Sequence, residues 1–561
     1  MRRMYSAMAF LLCVVLVLSL PQAYAQEDFA WDVPKETLLA GLMEASISSI
    51  RGAYEAGLLT CREVTEYYLE RIATYDEPYN CFITLCEEEA LKQADRIDER
   101  MAAGDLSGLL FGIPIVVKDN IDYVGYHTTN GYDKRDNQIA DSNAQIVEHL
   151  LKEGAVIIGK TNMSTAAQDA KACYSQVAGE TKNAYNTHLA SGASSGGSAV
   201  ATALNFATAG IGTDTNASLR LPAVLNGCIS LRVTWDTLPL EGIEELNARR
   251  DVPGVITRTV RDQAIALDAM SGGATSYAEH LDSGVLDGLR LGMITELTYP
   301  GGSEDREIIT AFEAACKELE ACGAEVIPVS VPGIESWNYV YNDSDDYRQR
   351  KTELLEQIMK ESGVTAFLFP SYLSAPQYSG RDENGVYWNT ADQLFLNNTG
   401  KLSPNVGIPE IAIPIGFHSR GAGMGMEIAA GKHEEQLLLN IAYAYTMAYN
   451  HRQAPGVGDL YAQWYGGTLT ELRGEYHNAL VEYQQGNIPT ETEDPTTEQE
   501  AEVHPLPTEE PTEPLSPTVE DNSSPRFLYV LIPAGTLAIL VLTARTIKHR
   551  KKNKSYEIPR S

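Results

Sequence analysis

Residues 192–222 read GASSGGSAVATALNFATAGIGTDTNASLRLP. The stretch starts with a glycine- and serine-rich loop, and the small residues that follow predict a close-packed helix over residues 195–209. Two serines, Ser194 and Ser218, stand at either end of this region. A serine hydroxyl is a poor nucleophile until a base takes its proton. Serine chemistry at either position therefore requires a base from elsewhere in the chain.

The sequence before this stretch alternates helical and strand-like segments. Residues 108–117 are rich in β-formers and end at Lys118-Asp119-Asn120, and residues 154–158 form a short apolar run. Apolar residues recur at helical spacing over residues 36–56, 61–75, 87–103 and 144–152. Helices that alternate with short apolar strands predict an α/β body with a largely covered sheet.

Residues 154–161, GAVIIGKT, satisfy the phosphate-binding pattern G-x-x-x-x-G-K-[ST]. A true phosphate loop follows its strand and cradles the phosphate with a flexible backbone. Here the four variable positions are Ala, Val, Ile and Ile, which are strand residues themselves. The pattern is therefore interpreted as a buried strand, and no nucleotide cofactor is predicted.

Residues 192–196, GASSG, satisfy the G-x-S-x-G pattern of the α/β-hydrolase nucleophile elbow. That elbow needs a strand immediately before it. The preceding residues 182–188, KNAYNTH, are polar and turn-like, so an esterase that uses Ser194 is the weaker interpretation. The sequence has no H-E-x-x-H motif and no Cys/His cluster, and no metal ligand is predicted.

The stretch from Gly192 closely resembles the amidase-signature family, and three further segments carry the same resemblance. They are GIPIVVKDNID from Gly112, GAVIIGKTNMS from Gly154 and GIPEIAIPIGF from Gly407. The segment YLERIATYDEPYNCFIT, which ends at Thr84, also fits the N-terminal helices of that family. The resemblance covers about residues 36–455. It implies a single large domain with a mixed β-sheet covered by helices on both faces.

The resemblance also implies a catalytic trio and its supporting residues. Lys118 is similar to the family's base, Ser194 to its cis-peptide proton relay and Ser218 to its nucleophile. The implied oxyanion hole consists of the main-chain N–H groups of Thr215, Asn216, Ala217 and Ser218. Three further residues match positions that hold the nucleophile loop by hydrogen bonds: Ser195, Asp214 and Arg220.

The chemistry of a lysine base depends on its surroundings. Lysine accepts a proton only when neutral, and its reference pKa is about 10.4. Burial lowers a lysine pKa by disfavouring the cation. A position at the end of a covered strand therefore suits Lys118 as a base.

One departure from the family concerns the residues before the nucleophile, which are usually Gly-Gly and are Asn216-Ala217 here. Asn is the least costly non-glycine residue if the first position needs a positive φ. The methyl group of Ala217 is expected to face the position where the bare glycine backbone of the family meets the oxyanion. A catalytically impaired amidase-like surface binding protein is therefore the second hypothesis.

The two ends of the chain predict export and membrane anchoring. A basic start, a short apolar run and Ala23-Tyr24-Ala25 are typical of a cleaved signal peptide. Residues 527–544 carry no charge and precede a basic tail, which the positive-inside rule places in the cytoplasm. Residues 488–522 hold eleven acidic residues and seven prolines without Lys or Arg, which predicts a disordered stalk. The predicted organisation is a signal peptide (1–25), an amidase domain (26–487), a stalk (488–525), a membrane helix (526–545) and a cytoplasmic tail (546–561).

Composition constrains the partners. The net charge of −33 argues against nucleic-acid binding. Seven cysteines remain after the signal peptide, at irregular spacing that does not suggest a disulfide framework. The predicted substrate is a small amide or a peptide amide. Residues 337–347 and 372–388 are rich in Tyr and Trp, which suggests an aromatic or apolar acyl group, although such residues also commonly build cores.

Overall fold

A computed structural model describes residues 35–135, 138–169, 172–302, 304–337, 344–377, 379 and 397–456. The helices α1–α13 are, in chain order, Lys35–Ala40, Ile47–Glu55, Cys61–Tyr75, Glu87–Ala102, Gln145–Lys152, Gly196–Ala203, Arg220–Leu225, Val260–Met270, Thr295–Thr298, Arg306–Ala321, Asp345–Ser362, Ser403–Val406 and Glu435–Ala448. The strands β1–β13 are Phe82–Leu85, Pro114–Lys118, Val156–Thr161, Cys173–Ser175, Gly179–Thr181, Ala209–Asp214, Ile229–Arg232, Val252–Thr257, Arg290–Ile294, Glu325–Val329, Ala366–Pro370, Glu410–Phe417 and Gly423–Ala430.

Eleven strands form one mixed sheet in the order β1-β3-β2-β6-β8-β7-β12-β13-β11-β9-β10. β2 runs parallel to both of its neighbours, β3 and β6. β12 and β13 form an antiparallel pair near the middle of the sheet. Because the carboxyl ends of β2 and β6 lie at the same edge, residues that follow both strands can meet there.

Both faces of this sheet are covered, because every residue of β2, β3, β6, β8 and β11 is buried. An α/β body with a covered mixed sheet is what the sequence predicts, and the structure confirms it. The small residues of β6 allow a close approach. A Cβ at Gly210 would lie 2.6 Å from the Ser198 carbonyl oxygen of α6.

Helix α3 begins and ends where the sequence predicts. The Thr60 side chain accepts a hydrogen bond from the Glu63 N–H, and the Glu63 carboxylate accepts one from the Thr60 N–H. This reciprocal cap satisfies two N–H groups that would otherwise lack partners at the helix start. The Asp98 carboxylate adds a tertiary cap, since it accepts hydrogen bonds from the N–H groups of Cys61 and Arg62.

Two predicted helices are shorter than expected. The helix predicted over residues 36–56 is interrupted after α1, because Glu44 adopts φ 57° and Ser46 caps the start of α2. The Glu44 carboxylate is ion-paired with Arg452, a contact between residues far apart in the chain. The helix predicted over residues 195–209 ends at Ala203. Asn205 adopts φ 58° after it, and β6 begins at Ala209.

The phosphate-loop pattern of residues 154–161 is a strand, as its composition indicates. Gly159, Lys160 and Thr161 belong to β3 and are buried. The Lys160 ammonium lies 3.3 Å from the Asp119 carboxylate and donates to the His127 carbonyl at 2.6 Å. A lysine held in this way is a structural ion-pair partner.

The predicted signal peptide, stalk, membrane helix and tail lie outside the described residues. Within the described ranges, which end at residue 456, no helix is both long and apolar enough to cross a membrane.

Candidate active site

Lys118 is the last residue of β2, which runs parallel to β6. It therefore lies at the edge of the sheet where both strands end. Its Nζ lies 2.6 Å from the Ser194 Oγ and 2.9 Å from the Thr213 Oγ1. All of the Lys118 and Ser194 surface is buried. The amide of Asn120 also donates to the Thr213 hydroxyl at 3.2 Å. These contacts give the ammonium group one defined position.

Burial lowers the pKa of Lys118 from its ordinary value to about 7. The negative charges of Asp214 and Asp251 act in the opposite direction but do not offset the loss of hydration. The neutral form of Lys118 is therefore accessible near neutral pH, and the neutral amine can accept a proton.

The Ser194 loop has a cis peptide bond between Ala193 and Ser194, at the position that the family resemblance implies. The Ser194 carbonyl accepts a hydrogen bond from the Ser164 N–H at 3.3 Å. A Cβ at Gly196 would lie 2.5 Å from the Cys173 Cβ, and one at Gly197 would lie 2.3 Å from a backbone oxygen. Glycine at these two positions thus allows the loop to pack against its neighbours.

Ser218 lies in the loop between β6 and α7, and 6% of its surface is exposed. Its carbonyl accepts a hydrogen bond from the Ser195 N–H at 3.1 Å, which ties the two serine loops together. Among the described residues, Ser194 included, none forms a hydrogen bond with the Ser218 hydroxyl. The hydroxyl that reaches solvent is thus that of Ser218, and the Ser194 hydroxyl is held by Lys118.

The four main-chain N–H groups of residues 215–218 donate to no acceptor in the part of the chain that the structure describes. The next N–H, of Leu219, donates to the Asp214 carboxylate at 3.2 Å. A row of unsatisfied N–H groups beside a serine hydroxyl is the arrangement that an oxyanion needs. The geometry therefore suits the predicted oxyanion hole of Thr215, Asn216, Ala217 and Ser218.

Asn216 and Ala217 fit this loop without left-handed backbone, since the positive φ angles of the described residues do not include theirs. The Ala217 methyl belongs to the main hydrophobic core, and only 1% of this residue is exposed. The methyl group therefore packs among buried apolar side chains.

The three predicted supporting residues surround this loop. The Ser195 hydroxyl donates to the Thr213 carbonyl at 3.2 Å. The Arg220 guanidinium donates to the Asp214 carboxylate at 3.1 Å and to the Asn216 carbonyl at 3.0 Å. Arg220 and Asp214 are fully buried. The salt bridge therefore fixes both ends of the oxyanion segment.

Two acidic residues that were not predicted from the sequence also face Arg220, namely Glu410 of β12 and Glu427 of β13. The Arg220 Nη1 is ion-paired with Glu410 and lies 3.3 Å from the Glu427 carboxylate. Both glutamates are fully buried, and Arg232 also faces Asp214 at 3.4 Å. A single acidic residue inside an apolar strand, as in GIPEIAIPIGF, is the signal that could have identified them.

This cluster holds two cations and three carboxyl groups, so neutrality requires one retained proton. Burial raises the pKa of Glu427 well above its ordinary value, and the adjacent negative charge of Glu410 raises it further, while Arg220 acts in the opposite direction. Burial raises the pKa of Glu410 as well, but Glu410 is the closer ion-pair partner of Arg220, so we place the proton on Glu427 and the charge on Glu410.

A second polar cluster joins Asp305 and Glu307 to His418, whose Nε2 lies 3.3 Å and 3.5 Å from their carboxylates. The His418 Nδ1 accepts a hydrogen bond from the Arg420 N–H at 3.0 Å. A ring nitrogen that accepts carries no proton, so the proton of the neutral ring lies on Nε2. In this tautomer that nitrogen donates to the Asp305 carboxylate and offers a metal no lone pair.

The predicted acyl-pocket segments lie mostly outside the described residues, which leave out 338–343, 378 and 380–396. Three of their aromatic residues are described: Trp337 and Tyr372 are buried, and Tyr347 is partly exposed. Trp337 packs in a second hydrophobic cluster, and the Tyr372 hydroxyl donates to the Gly423 carbonyl at 2.6 Å. These two side chains build the core.

Comparisons with known proteins identify the family of this chain. The family model described as Amidase matches residues 63–343. A glutamyl-tRNA(Gln) amidotransferase subunit from Thermosynechococcus vestitus is 30% identical over 465 residues, which cover 70% of this chain and 96% of that protein. The peptide amidase of Stenotrophomonas maltophilia is 26% identical with a TM-score of 0.61, and the match covers 73% of this chain and 98% of that one.

A bacterial aryl acylamidase of the amidase-signature family shares the fold at a TM-score of 0.62, with 19% identity. That match covers 73% of this chain and 97% of the acylamidase.

Proposed function

The chain belongs to the amidase family and hydrolyses C–N amide bonds, and we propose that it does so through an acyl-serine intermediate on Ser218. In this proposal Lys118 is the base and Ser194 relays the proton. The observation that carries it is the buried contact of 2.6 Å between the Lys118 Nζ and the Ser194 Oγ.

Acylation begins when the Ser218 Oγ attacks the substrate carbonyl carbon. The Ser218 proton passes to the Ser194 oxygen, and Ser194 gives its own proton to the neutral Lys118 amine. The carbonyl oxygen becomes negative and accepts hydrogen bonds from the N–H groups of residues 215–218. Donors that are already in place stabilise this charge without reorganisation.

The tetrahedral intermediate then loses its amine. The C–N bond breaks, and the leaving nitrogen takes the proton that returns from Lys118 through Ser194. The product is ammonia or an amine and an ester between Ser218 and the acyl group. Water then attacks this ester, and its proton follows the same path to Lys118. When the bond between the acyl carbon and the Ser218 oxygen breaks, that proton returns through Ser194 to the Ser218 oxygen, which leaves a free carboxylic acid and neutral Lys118.

The proposed substrate is a small carboxamide or a peptide amide. The similarity to a protein named peptide amidase supports this class. The relatives named for glutamyl-tRNA(Gln) amidotransferase carry tRNA in their name, and that role is not proposed for this chain. The predicted signal peptide and the net charge of −33 both argue against a tRNA substrate.

Two alternatives make different predictions. An impaired surface binding protein would release no ammonia from any amide. An esterase built on Ser194 would require a histidine, but the Ser194 Oγ lies against Lys118.

The test is ammonia release by the purified protein from a panel of carboxamides and peptide amides. We expect turnover of at least one member, and its loss in Ser218→Ala with the thermal unfolding midpoint retained. No turnover across the panel, or equal turnover by Ser218→Ala, would contradict the proposal.

We also propose that the enzyme acts outside the cell, anchored by a C-terminal membrane helix. The apolar run 527–544 with its basic tail and the apolar run at the N-terminus support this topology. A chain ending before Pro525 should be secreted in soluble and active form, whereas the full chain should sediment with membranes. A truncated protein that stays in the membrane fraction would refute the anchor.

A further inference from the structure

Asn216 is the most accessible residue of the nucleophile loop. From residue 213 to residue 220 every other residue is buried, whereas Asn216 is partly exposed. Its carbonyl is held by Arg220 at 3.0 Å. Its side-chain carboxamide forms no hydrogen bond with any described residue. A donor and an acceptor are thus left open two residues from Ser218.

The carboxamide lies directly against Gly400, in the loop that precedes α12. A Cβ at Gly400 would lie 2.6 Å from the Asn216 Nδ2 and 2.7 Å from its Oδ1. Gly400 does not adopt a left-handed φ, so it is space and not backbone conformation that requires glycine here. The chain therefore places a bare backbone opposite the side chain that replaces the family's usual glycine.

The Gly400 backbone is itself fixed. Its carbonyl accepts a hydrogen bond from the Asn405 Nδ2 at 3.0 Å, and the Thr399 N–H donates to the Ser371 carbonyl at 3.2 Å. The Asn216 backbone is fixed by Arg220 on the other side. Two rigid supports therefore define where the carboxamide can point.

We propose that Asn216, backed by Gly400, is a specificity-determining residue that hydrogen-bonds a second amide group of the substrate, beside the amide that is cleaved. This inference rests on the proposed function and narrows its substrate class to peptide-like amides. A carboxamide offers one acceptor and an N–H donor pair, which complements the N–H and C=O of a peptide group.

The partly buried Asn216 carboxamide loses hydration when a substrate binds beside it. A site built to hydrogen-bond a substrate group discriminates against an analogue that lacks the group, because its own polar atoms then stay unpaired. A substrate without a second amide would leave the Asn216 carboxamide desolvated and without a partner. The alternative is that Asn216 only fills the space opposite Gly400.

A matched pair of substrates separates these two roles. N-acetylphenylalanine amide and 3-phenylpropanamide share the phenyl ring and the scissile amide, and only the first has a second amide. The readout is the ratio of their kcat/KM values, because a general loss of activity affects both substrates and cancels. We expect the wild-type protein to favour the first substrate by roughly 10-fold or more.

Asn216→Leu keeps the branched shape and the number of side-chain heavy atoms and removes the hydrogen bonds, whereas Asn216→Gly removes the whole side chain. We expect both variants to lower the ratio by about 10-fold. Gly400→Ala should also lower it, because the added methyl displaces the carboxamide, and it should have no further effect on the ratio in the Asn216→Gly background.

An unchanged ratio in Asn216→Leu and Asn216→Gly would overturn the proposal and leave Asn216 as a space-filling residue. Wild-type hydrolysis of neither substrate would also overturn it. Failure of the underlying mechanism gives a different result, which is turnover that persists in Ser218→Ala.

Discussion

The Nζ of Lys118 and the Oγ of Ser194 lie 2.6 Å apart, and both atoms are sealed from solvent. The lysine comes from the end of a strand and the serine from a loop 76 residues later in the chain. Water would stabilise the charged form of the amine. Because the site excludes water, the pKa of Lys118 falls to about 7. Burial thus gives the base a neutral form near physiological pH, while the contact with Ser194 positions it.

The pH dependence of turnover should report this lysine. Because only neutral Lys118 accepts a proton, kcat/KM should rise with pH to a plateau, with a midpoint near 7. Lys118→Met should lose about 10²- to 10⁴-fold in kcat/KM and show no such rise. Initial rates from pH 5 to pH 9 in a constant-ionic-strength buffer would test it, and full activity of Lys118→Met would exclude the lysine as base.

The burial of Lys118 should lower the stability of the folded protein at acidic pH. The folded state holds Lys118 with a pKa of about 7, against 10.5 when it is hydrated, so below pH 7 folding must bury a cation. Lys118→Met should therefore raise the free energy of unfolding, by about 2–5 kcal/mol at pH 6. This gain should shrink as the pH rises from 7 toward 10.5. Urea unfolding of both proteins at several pH values measures it, and a gain independent of pH would mean that burial does not depress the pKa.

The two serines should respond differently to substitution. A fluorophosphonate probe should label Ser218 and not Ser194, since the exposed hydroxyl belongs to Ser218. Ser218→Ala should lose nearly all turnover, because no acyl-enzyme can form. Ser194→Ala should keep the nucleophile and lose about 10²- to 10⁴-fold. Peptide mapping of the labelled protein identifies the site, and a label on Ser194 alone would favour the esterase interpretation.

Substitution of Glu410 and of Glu427 by glutamine should change the free energy of unfolding by different amounts. Glu427→Gln imitates the protonated acid and should change the free energy of unfolding little at low pH. Glu410→Gln removes the anion that faces buried Arg220, and we expect a loss of about 3 kcal/mol. Since the raised pKa makes Glu427 costly to ionise, Glu427→Gln should gain stability relative to wild type as the pH rises above 4.5. Equal losses in both variants would mean that both glutamates are ionised.

Ala217 offers a test of the departure from the family pattern. Ala217→Gly restores the usual residue but removes a methyl group from the main core, where only 1% of the residue is exposed. We expect a loss of about 1 kcal/mol in stability and no gain in kcat. Thermal unfolding and steady-state rates measure both quantities. A large gain in kcat would show that the methyl group obstructs the oxyanion hole after all.

Elements with local signals could be predicted from the amino-acid sequence. The reciprocal cap of Thr60 and Glu63 set the start of α3, and the β-rich run placed Lys118 at the end of β2. The composition of residues 154–161 was sufficient to predict a strand in place of a phosphate loop. Motif order and spacing were likewise sufficient to identify the family, because they are properties of the chain alone.

Tertiary structure decided what depends on residues far apart in the chain. The break at Glu44 is stabilised by Arg452, and Glu410 and Glu427 come together only because β12 pairs with β13. The depressed pKa of Lys118 likewise follows from the surrounding protein and not from its neighbours in sequence. The physical reason is common to all three: desolvation and ion pairing depend on which surfaces exclude water, and only the packed fold defines those surfaces.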